Sequence, residues 1–189
     1  MTQGMNRGAA MAKTFTVWAD GRLDLGDRRA RCALGPGGIV AAAEKCEGDG
    51  KTPAGVWPLR ALLYRADRLT RPRSGLETRP LHPDDGWCDA PNDPNYNRAV
   101  AWPYRASAER LWREDGIYDL IVPLGYNDEP VIAGAGSAIF LHLAREDYSP
   151  TRGCVALAKD DLLALLAQAS PGDALRIALD RSPTSATVG

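Results

Sequence analysis

The sequence predicts a mainly β, single-domain fold with one or two helices, an α+β class. Three observations lead there: short apolar segments at strand spacing broken by turn residues, one helical period near the C-terminal end, and enough apolar residues for a single core. The chain has 189 residues, 44% hydrophobic and 25% charged, which fits one globular domain rather than a disordered or fibrous chain.

Residues 1–12 contain all three methionines and lack the apolar core of a secretory signal. They read as a disordered leader, with the folded domain beginning near Lys13 and running to residue 180. Over residues 14–63 the apolar positions Phe15 and Val17, Leu23 and Leu25, then segments 30–34, 39–43 and 56–63, suggest a strand meander. The breaks are "ADG", "GPGG" and "EGDGKTPAG", where Gly supplies positive φ and Pro fixes φ. "GPGG" reads as a hairpin turn between Pro36 and Gly37 that places Cys32 opposite Ala41 and away from Cys46. A disulfide needs Cα atoms within about 7 Å, so the four cysteines are expected as free thiols, with Cys32, Cys46 and Cys88 acting as small buried hydrophobes.

Residues 65–100 are rich in Pro, Asp, Asn and Arg and keep no period, which predicts a long surface excursion. "SAERLW" (107–112) suggests a short helix. Segments 117–125 and 137–144 read as strands, the second apolar enough to be central. In "DDLLALLAQA" (160–169), Asp160 or Asp161 can cap a helix whose Leu162, Leu165, Leu166 and Ala169 share one face. "SPGD" ends it, Leu175, Ile177 and Leu179 alternate as a last strand, and residues 181–189 read as a flexible tail.

Lys and Arg number 23 against 24 Asp and Glu, for a net charge of −1, with no basic block. Nothing electrostatic marks a nucleic-acid or anionic-membrane binder. No apolar run reaches the roughly 20 residues of a transmembrane helix.

The stretch "IFLHLAREDYSPTRGCVAL" (139–157) carries one of two histidines and one of four cysteines. A cysteine attacks as thiolate and needs a base nearby. His142 sits at a strand end, and the eight-residue loop 144–151 is long enough to return the chain beside that strand, so Cys154 can face the imidazole. Gly153 leaves the sulfur open to a carbonyl, and the backbone N–H groups of Arg152, Gly153 and Cys154 can converge on an oxyanion. The other imidazole nitrogen needs an acceptor, for which the Leu143 carbonyl is the candidate. Two other readings stand beside this one: an inert core thiol, and a metal site from His142, Cys154, His82 and Cys88, although none of these pairs has the short spacing of structural zinc ligands. No metal and no organic cofactor is expected, since thiol, imidazole and oxyanion hole suffice. In the excursion, Trp87, Tyr96 and Arg98 can line a peptide groove, as can Tyr126 and Asn127 after the strand at 117–125; self-packing of these residues is the alternative. His82, between prolines, reads as an exposed loop residue.

"SPTRGCVAL", preceded by "IFLHLA" and far upstream by "GDGKTPAGVWPL", resembles the L,D-transpeptidase catalytic domain, the cysteine enzymes of bacterial peptidoglycan. The family pattern is a strand His, then Ser/Thr-His-Gly-Cys, with an earlier Gly-Lys-Thr-Pro-x-Gly turn. Here His142 matches the first element, Thr151, Gly153 and Cys154 the second, and Gly50, Lys51, Thr52, Pro53 and Gly55 the turn. The resemblance spans about residues 15–179. It implies a β-sandwich-like fold, Cys154 as nucleophile and His142 as base, peptidoglycan stem peptides as partners, and inhibition by β-lactams of the carbapenem class.

Three departures mark a divergent branch: Arg152 stands where most members have His, Ala156 where many have Arg or Asn, and the His-to-Cys interval is shorter than usual. Arg152 can favour the thiolate or bind a stem carboxylate, and Thr151 can also touch substrate; a solvated loop arginine is the alternative. The implied reaction is thioester formation at an L-centre of the stem. An amine of a neighbouring stem then gives a cross-link, the commoner family outcome, and water gives L,D-carboxypeptidase action. Cross-linking implies a periplasmic or envelope location, recycling a cytoplasmic one. A binding module without turnover is the non-enzymatic rival; a papain-like protease has Cys before His, the reverse of this order.

Overall fold

The computed structural model describes residues 12–183. Most of the expected leader and tail, residues 1–11 and 184–189, lies outside the described residues. The N-terminal part contains β1 (Thr14–Trp18), β2 (Arg22–Asp24), β3 (Arg29–Ala33), β4 (Ile39–Ala41), a 3-10 turn (Ala42–Glu44), β5 (Thr52–Pro58) and β6 (Leu62–Tyr64). There follow β7 (Thr78–Pro80), β8 (Asp85–Cys88), β9 (Ala99–Ala101), β10 (Ala108–Arg110), β11 (Leu120–Pro123) and β12 (Phe140–Leu143). The chain closes with β13 (Val155–Leu157), α1 (Lys159–Leu166) and β14 (Ala174–Ile177).

Eleven strands form one continuous sheet in the order β4-β5-β14-β1-β2-β3-β13-β12-β11-β6-β7, and β10-β8-β9 form a second. The long sheet folds over on itself, because side chains from strands far apart in that order meet in one core. Leu175 and Ile177 of β14, Val17 of β1, Leu157 of β13, Val122 of β11 and Leu62 of β6 all belong to it. The result is a mainly β, sandwich-type fold with one α-helix among the described residues. Helix α1 seals the core with Leu162, Leu165 and Leu166, each fully buried, a burial that stabilises by about 1.5–3 kcal/mol per side chain.

Strand β12 is central, paired antiparallel with β11 and parallel with β13. Its alternation sends Leu141 into the main core and Phe140 to the opposite face. On that opposite face Phe140, Ile121, Leu63, Leu111, Tyr118 and Cys154 form a second cluster under Trp87 and Trp112. Strand β12 is thus buried on both sides, as its continuous apolar run predicts.

Several local expectations are corrected. The "GPGG" turn is no hairpin: β3 pairs with β2 and β13, placing Cys32 opposite Leu157, and β4 runs parallel to β5. The buried Gly35 N–H donates to Thr52 Oγ1 (3.0 Å) and the Thr52 N–H to the Gly38 carbonyl (2.9 Å), so this segment docks on the "GDGKTP" turn instead of folding back on β3. Residues 107–112 hold no helix; Ala108–Arg110 form strand β10 instead, since pairing with β8 outweighs a weak helical propensity. The excursion 65–100 is not structureless but contributes β7, β8 and β9. Helix α1 is capped by Ala158 without a side-chain bond; Asp160 and Asp161 lie in its first turn, where the helix dipole favours them. Leu179 is 56% exposed, so the last strand's alternation stops at Ile177. All four cysteines are free, but Cys46 is exposed rather than buried.

Candidate active site

Strand β12 carries His142, and Cys154 lies immediately before β13. In their parallel register His142 lies opposite Ala156, and residues two apart on a strand share a face. Phe140, His142, Cys154 and Ala156 therefore project to one side. This places Cys154 one diagonal step from His142, about 8 Å between Cα atoms from strand spacing and rise. Both side chains line a cavity of about 730 Å³.

Local bonds hold the approach to β13. Thr151 Oγ1 donates to the Cys154 carbonyl (2.7 Å) and accepts the Gly153 N–H (3.1 Å), while the Thr151 N–H donates to the Leu34 carbonyl (3.0 Å). Gly153 adopts φ +120°, and a Cβ there would lie 2.6 Å from the Lys51 carbonyl oxygen. Only glycine lets these two segments approach so closely. The "GDGKTPAG" turn is therefore both a tight turn and part of the site, with Gly48 and Gly50 also on the cavity wall. Of the three amides expected to meet an oxyanion, that of Gly153 is committed to Thr151, which leaves Arg152 and Cys154 as the donors to consider.

The Cys154 thiol donates to the Ala138 carbonyl (3.2 Å) and its sulfur accepts the Phe140 N–H (3.3 Å). Burial pushes it up to about 12, and the nearby Glu109 carboxylate adds to the rise. His142 Nδ1 lies 2.9 Å from the Leu143 carbonyl, which fixes the proton there and leaves Nε2 as the basic nitrogen. Burial pulls the imidazole down to about 4. Without substrate, thiol and imidazole are both neutral. The ring of Tyr118 meets His142 edge-on at 5.1 Å.

The cavity wall brings in residues with no local sequence signal. Tyr118 donates from its hydroxyl to Glu109 Oε1 (2.7 Å), and burial keeps that phenol well above its usual range. Lys45 is buried, its ammonium donating to the Cys46 carbonyl (2.7 Å) and paired with Asp49 (2.8 Å). Arg113 is held by Asp115, which also binds Arg145 and is drawn down to about 2, chiefly by the Arg113 hydrogen bonds. Arg152 is exposed on the wall beside Thr151.

Trp87, Tyr96, Arg98, Tyr126 and Asn127, expected to touch substrate, do not line this cavity. They brace the chain that leads into β12. Trp87 Nε1 and the Ala138 N–H both donate to Asn97 Oδ1 (2.9 and 3.1 Å), and Asn97 Nδ2 donates to the carbonyls of Tyr126 and Asn127. Asn97 thus anchors Ala138, a non-glycine residue at φ +52° whose carbonyl receives the thiol proton. The Tyr96 hydroxyl donates to Glu47 Oε2 (2.5 Å), Asn127 Nδ2 to the Gly136 carbonyl (2.8 Å), and Arg98 Nη2 to the Asp128 carbonyl (2.6 Å). Such self-packing uses up the polar groups that made the segment resemble a groove.

Among the described residues no three His, Cys, Asp or Glu side chains come together as a metal site. Cys88 is fully buried away from the exposed His82. No described helix is long and apolar enough to cross a membrane.

No curated protein matches the chain. Among solved structures it resembles the helical cell shape determining protein Pgp2 (K307A mutant) from Campylobacter jejuni, at 15% identity and a TM-score of 0.46. The match covers 90% of this chain and 48% of that one, so the chain spans about half the length of its structural relative. The pattern of the YkuD family, the L,D-transpeptidase catalytic domain, matches residues 10–177. The chain, with His142 on β12 and Cys154 immediately before the adjacent β13, belongs to the L,D-transpeptidase catalytic-domain family.

Proposed function

We propose that this protein is a peptidoglycan L,D-transpeptidase in which Cys154 is the nucleophile and His142 the base. The observation that carries the reading is the placement of both side chains on one face of the β12–β13 pair, lining one cavity. The thiol attacks the carbonyl of an L-centre in a stem peptide while His142 Nε2 takes its proton. The N–H groups of Arg152 and Cys154 receive the oxyanion. The protonated imidazole then gives its proton to the departing amine, leaving a thioester on Cys154. An amine of a neighbouring stem resolves that thioester to a cross-link, which suits an envelope location. Arg152 and Thr151 are the wall residues best placed to contact the stem.

Purified disaccharide tetrapeptides, incubated with the protein and followed by mass analysis, test this. Cross-linked dimers with loss of the terminal residue support transfer, and tripeptides alone convert the assignment to an L,D-carboxypeptidase. No change in the tetrapeptide, with no thioester on Cys154, leaves a binding module and refutes the enzymatic reading.

A further inference from the structure

Glu109 enters the cavity from β10, a strand of the smaller sheet, and stands there without a role in the acylation chemistry. One carboxylate oxygen is held: Tyr118 donates to Oε1 at 2.7 Å. The same tyrosine contacts His142 edge-on, so the carboxylate is tied through one side chain to the base of the reaction. The thiol lies within electrostatic reach of Glu109, whose charge helps to raise it. Asp89, which follows β8 on the same wall, has Oδ1 buried with no hydrogen-bond partner among the described residues. Glu109 and Asp89 thus present acceptor oxygens beside Cys154, on a wall that also carries Arg113 and Arg152.

Acylation as derived above needs one base, His142. Resolution of the thioester by an amine again needs a proton acceptor, because the attacking nitrogen must shed a proton as its new bond forms. His142, neutral once more after acylation, and Glu109 both line the cavity, and Glu109 is the one whose charge also suits binding of an amine. Resting on the transpeptidase reading, we propose that Glu109, oriented by Tyr118, binds the acceptor amine and takes its proton during transfer. The nitrogen lone pair forms the C–N bond to the thioester carbonyl carbon, and the C–S bond breaks with its electron pair going to the Cys154 sulfur. One N–H proton passes to the Glu109 carboxylate, and its return to the sulfur restores the neutral thiol and the starting enzyme. The surroundings suit the task. Burial raises Glu109 above the ordinary carboxylate range and Asp89 raises it further, while the Tyr118 hydrogen bond, Arg113 and Arg152 oppose that rise. The result is a stronger base than an exposed glutamate.

The test separates the two half-reactions. Wild type, Glu109→Gln and Tyr118→Phe are each incubated with disaccharide tetrapeptide; quenched samples are read by intact mass for the Cys154 thioester and by chromatography for dimer. Glu109→Gln is expected to acylate and then accumulate thioester, with dimer formation at least 100-fold slower. The wild-type transfer rate falls on acidification along a limb that Glu109→Gln lacks. Tyr118→Phe moves that limb to higher pH, because loss of the phenol's hydrogen bond makes the carboxylate easier to protonate. Dimer formation by Glu109→Gln within threefold of wild type, with the same pH profile, overturns the inference alone. Failure of Glu109→Gln to acylate also overturns it, in favour of a structural role. A wild type that forms no thioester overturns both this inference and the reading beneath it.

Discussion

Gly153 offers the sharpest test of how the motif is held. At φ +120° an alanine is strained, and its Cβ would lie 2.6 Å from the Lys51 carbonyl oxygen, a backbone atom that cannot swing aside. The conformational part costs about 1–3 kcal/mol, and forcing the two backbones apart adds about 1–3 kcal/mol. For a domain of this size each kcal/mol lowers Tm by about 2–4 °C, so Gly153→Ala is expected to melt roughly 4–24 °C below wild type. Gly38→Ala is the matched control, because Gly38 has φ +71° and open space around its missing Cβ; it isolates the conformational part at about 1 kcal/mol. Thermal unfolding by circular dichroism reads both. Displacing Gly153 also moves Cys154, and a shift of about 1 Å at a nucleophile lowers turnover on the order of 100-fold. A Gly153→Ala protein that melts within about 2 °C of Gly38→Ala, or retains full turnover, would show that the Lys51 contact does not shape the site.

The remaining predictions follow from the same residues. Cys154→Ala abolishes muropeptide turnover while Cys32→Ala, Cys46→Ala and Cys88→Ala retain it; product analysis of the four variants is the check. His142→Ala slows acylation by roughly 10²–10⁴-fold, and a loss below tenfold assigns the base to another group. His142 is neutral when folded, down to about pH 4, but takes a proton near 6.5 when unfolded. The unfolded chain therefore binds more protons in that window, and stability falls on acidification through it by up to about 3 kcal/mol. Urea titrations from pH 7 to 4 show this step, and His142→Gln flattens it. A carbapenem acylates Cys154 slowly, as intact mass and peptide mapping will show; an adduct on another cysteine refutes the site.

What the sequence revealed and what it hid divide along physical lines. The closeness of His142 and Cys154 in one cavity was legible because the two segments are joined by a single short loop, so the return of the chain beside itself could be argued from loop length. Helix α1 was legible through the spacing of Leu162, Leu165 and Leu166, which needs no tertiary information. The cavity wall was not. Glu109 and Tyr118 reach it from separate segments through a sheet pairing that sets Ala108 against Cys88, and nothing near Glu109 in the chain announces that partner. Residues 107–112 misled for the same reason, since their strand exists only because β8 is there. Trp87, Tyr96 and Asn127 misled differently: aromatics and amides look alike whether they bind a ligand or the protein's own backbone, and here they anchor residues 135–138. Lys45, one of four lysines in the sequence, is distinguished only by its burial against Asp49.

The protonation state of the site decides which reagents can reach it. A family defined by a cysteine nucleophile invites the expectation that Cys154 is the most reactive thiol in the chain. The structure argues otherwise in the absence of substrate. Cys154 is 6% exposed, pushed up to about 12, and its proton is directed at the Ala138 carbonyl. The neighbouring imidazole, at about 4, gains little by accepting that proton until a developing oxyanion and a departing amine compensate. Proton transfer is thus coupled to attack on a bound carbonyl rather than completed beforehand. A small alkylating reagent offers no such carbonyl and must find thiolate already formed. At pH 8, iodoacetamide should therefore label the exposed Cys46 well before Cys154, whereas the thioester formed from a stem peptide should sit on Cys154 alone. Time-resolved peptide mapping distinguishes the two orders. Faster alkylation of Cys154 than of Cys46 would mean that a thiolate–imidazolium pair exists in the free protein and that burial does not control this site.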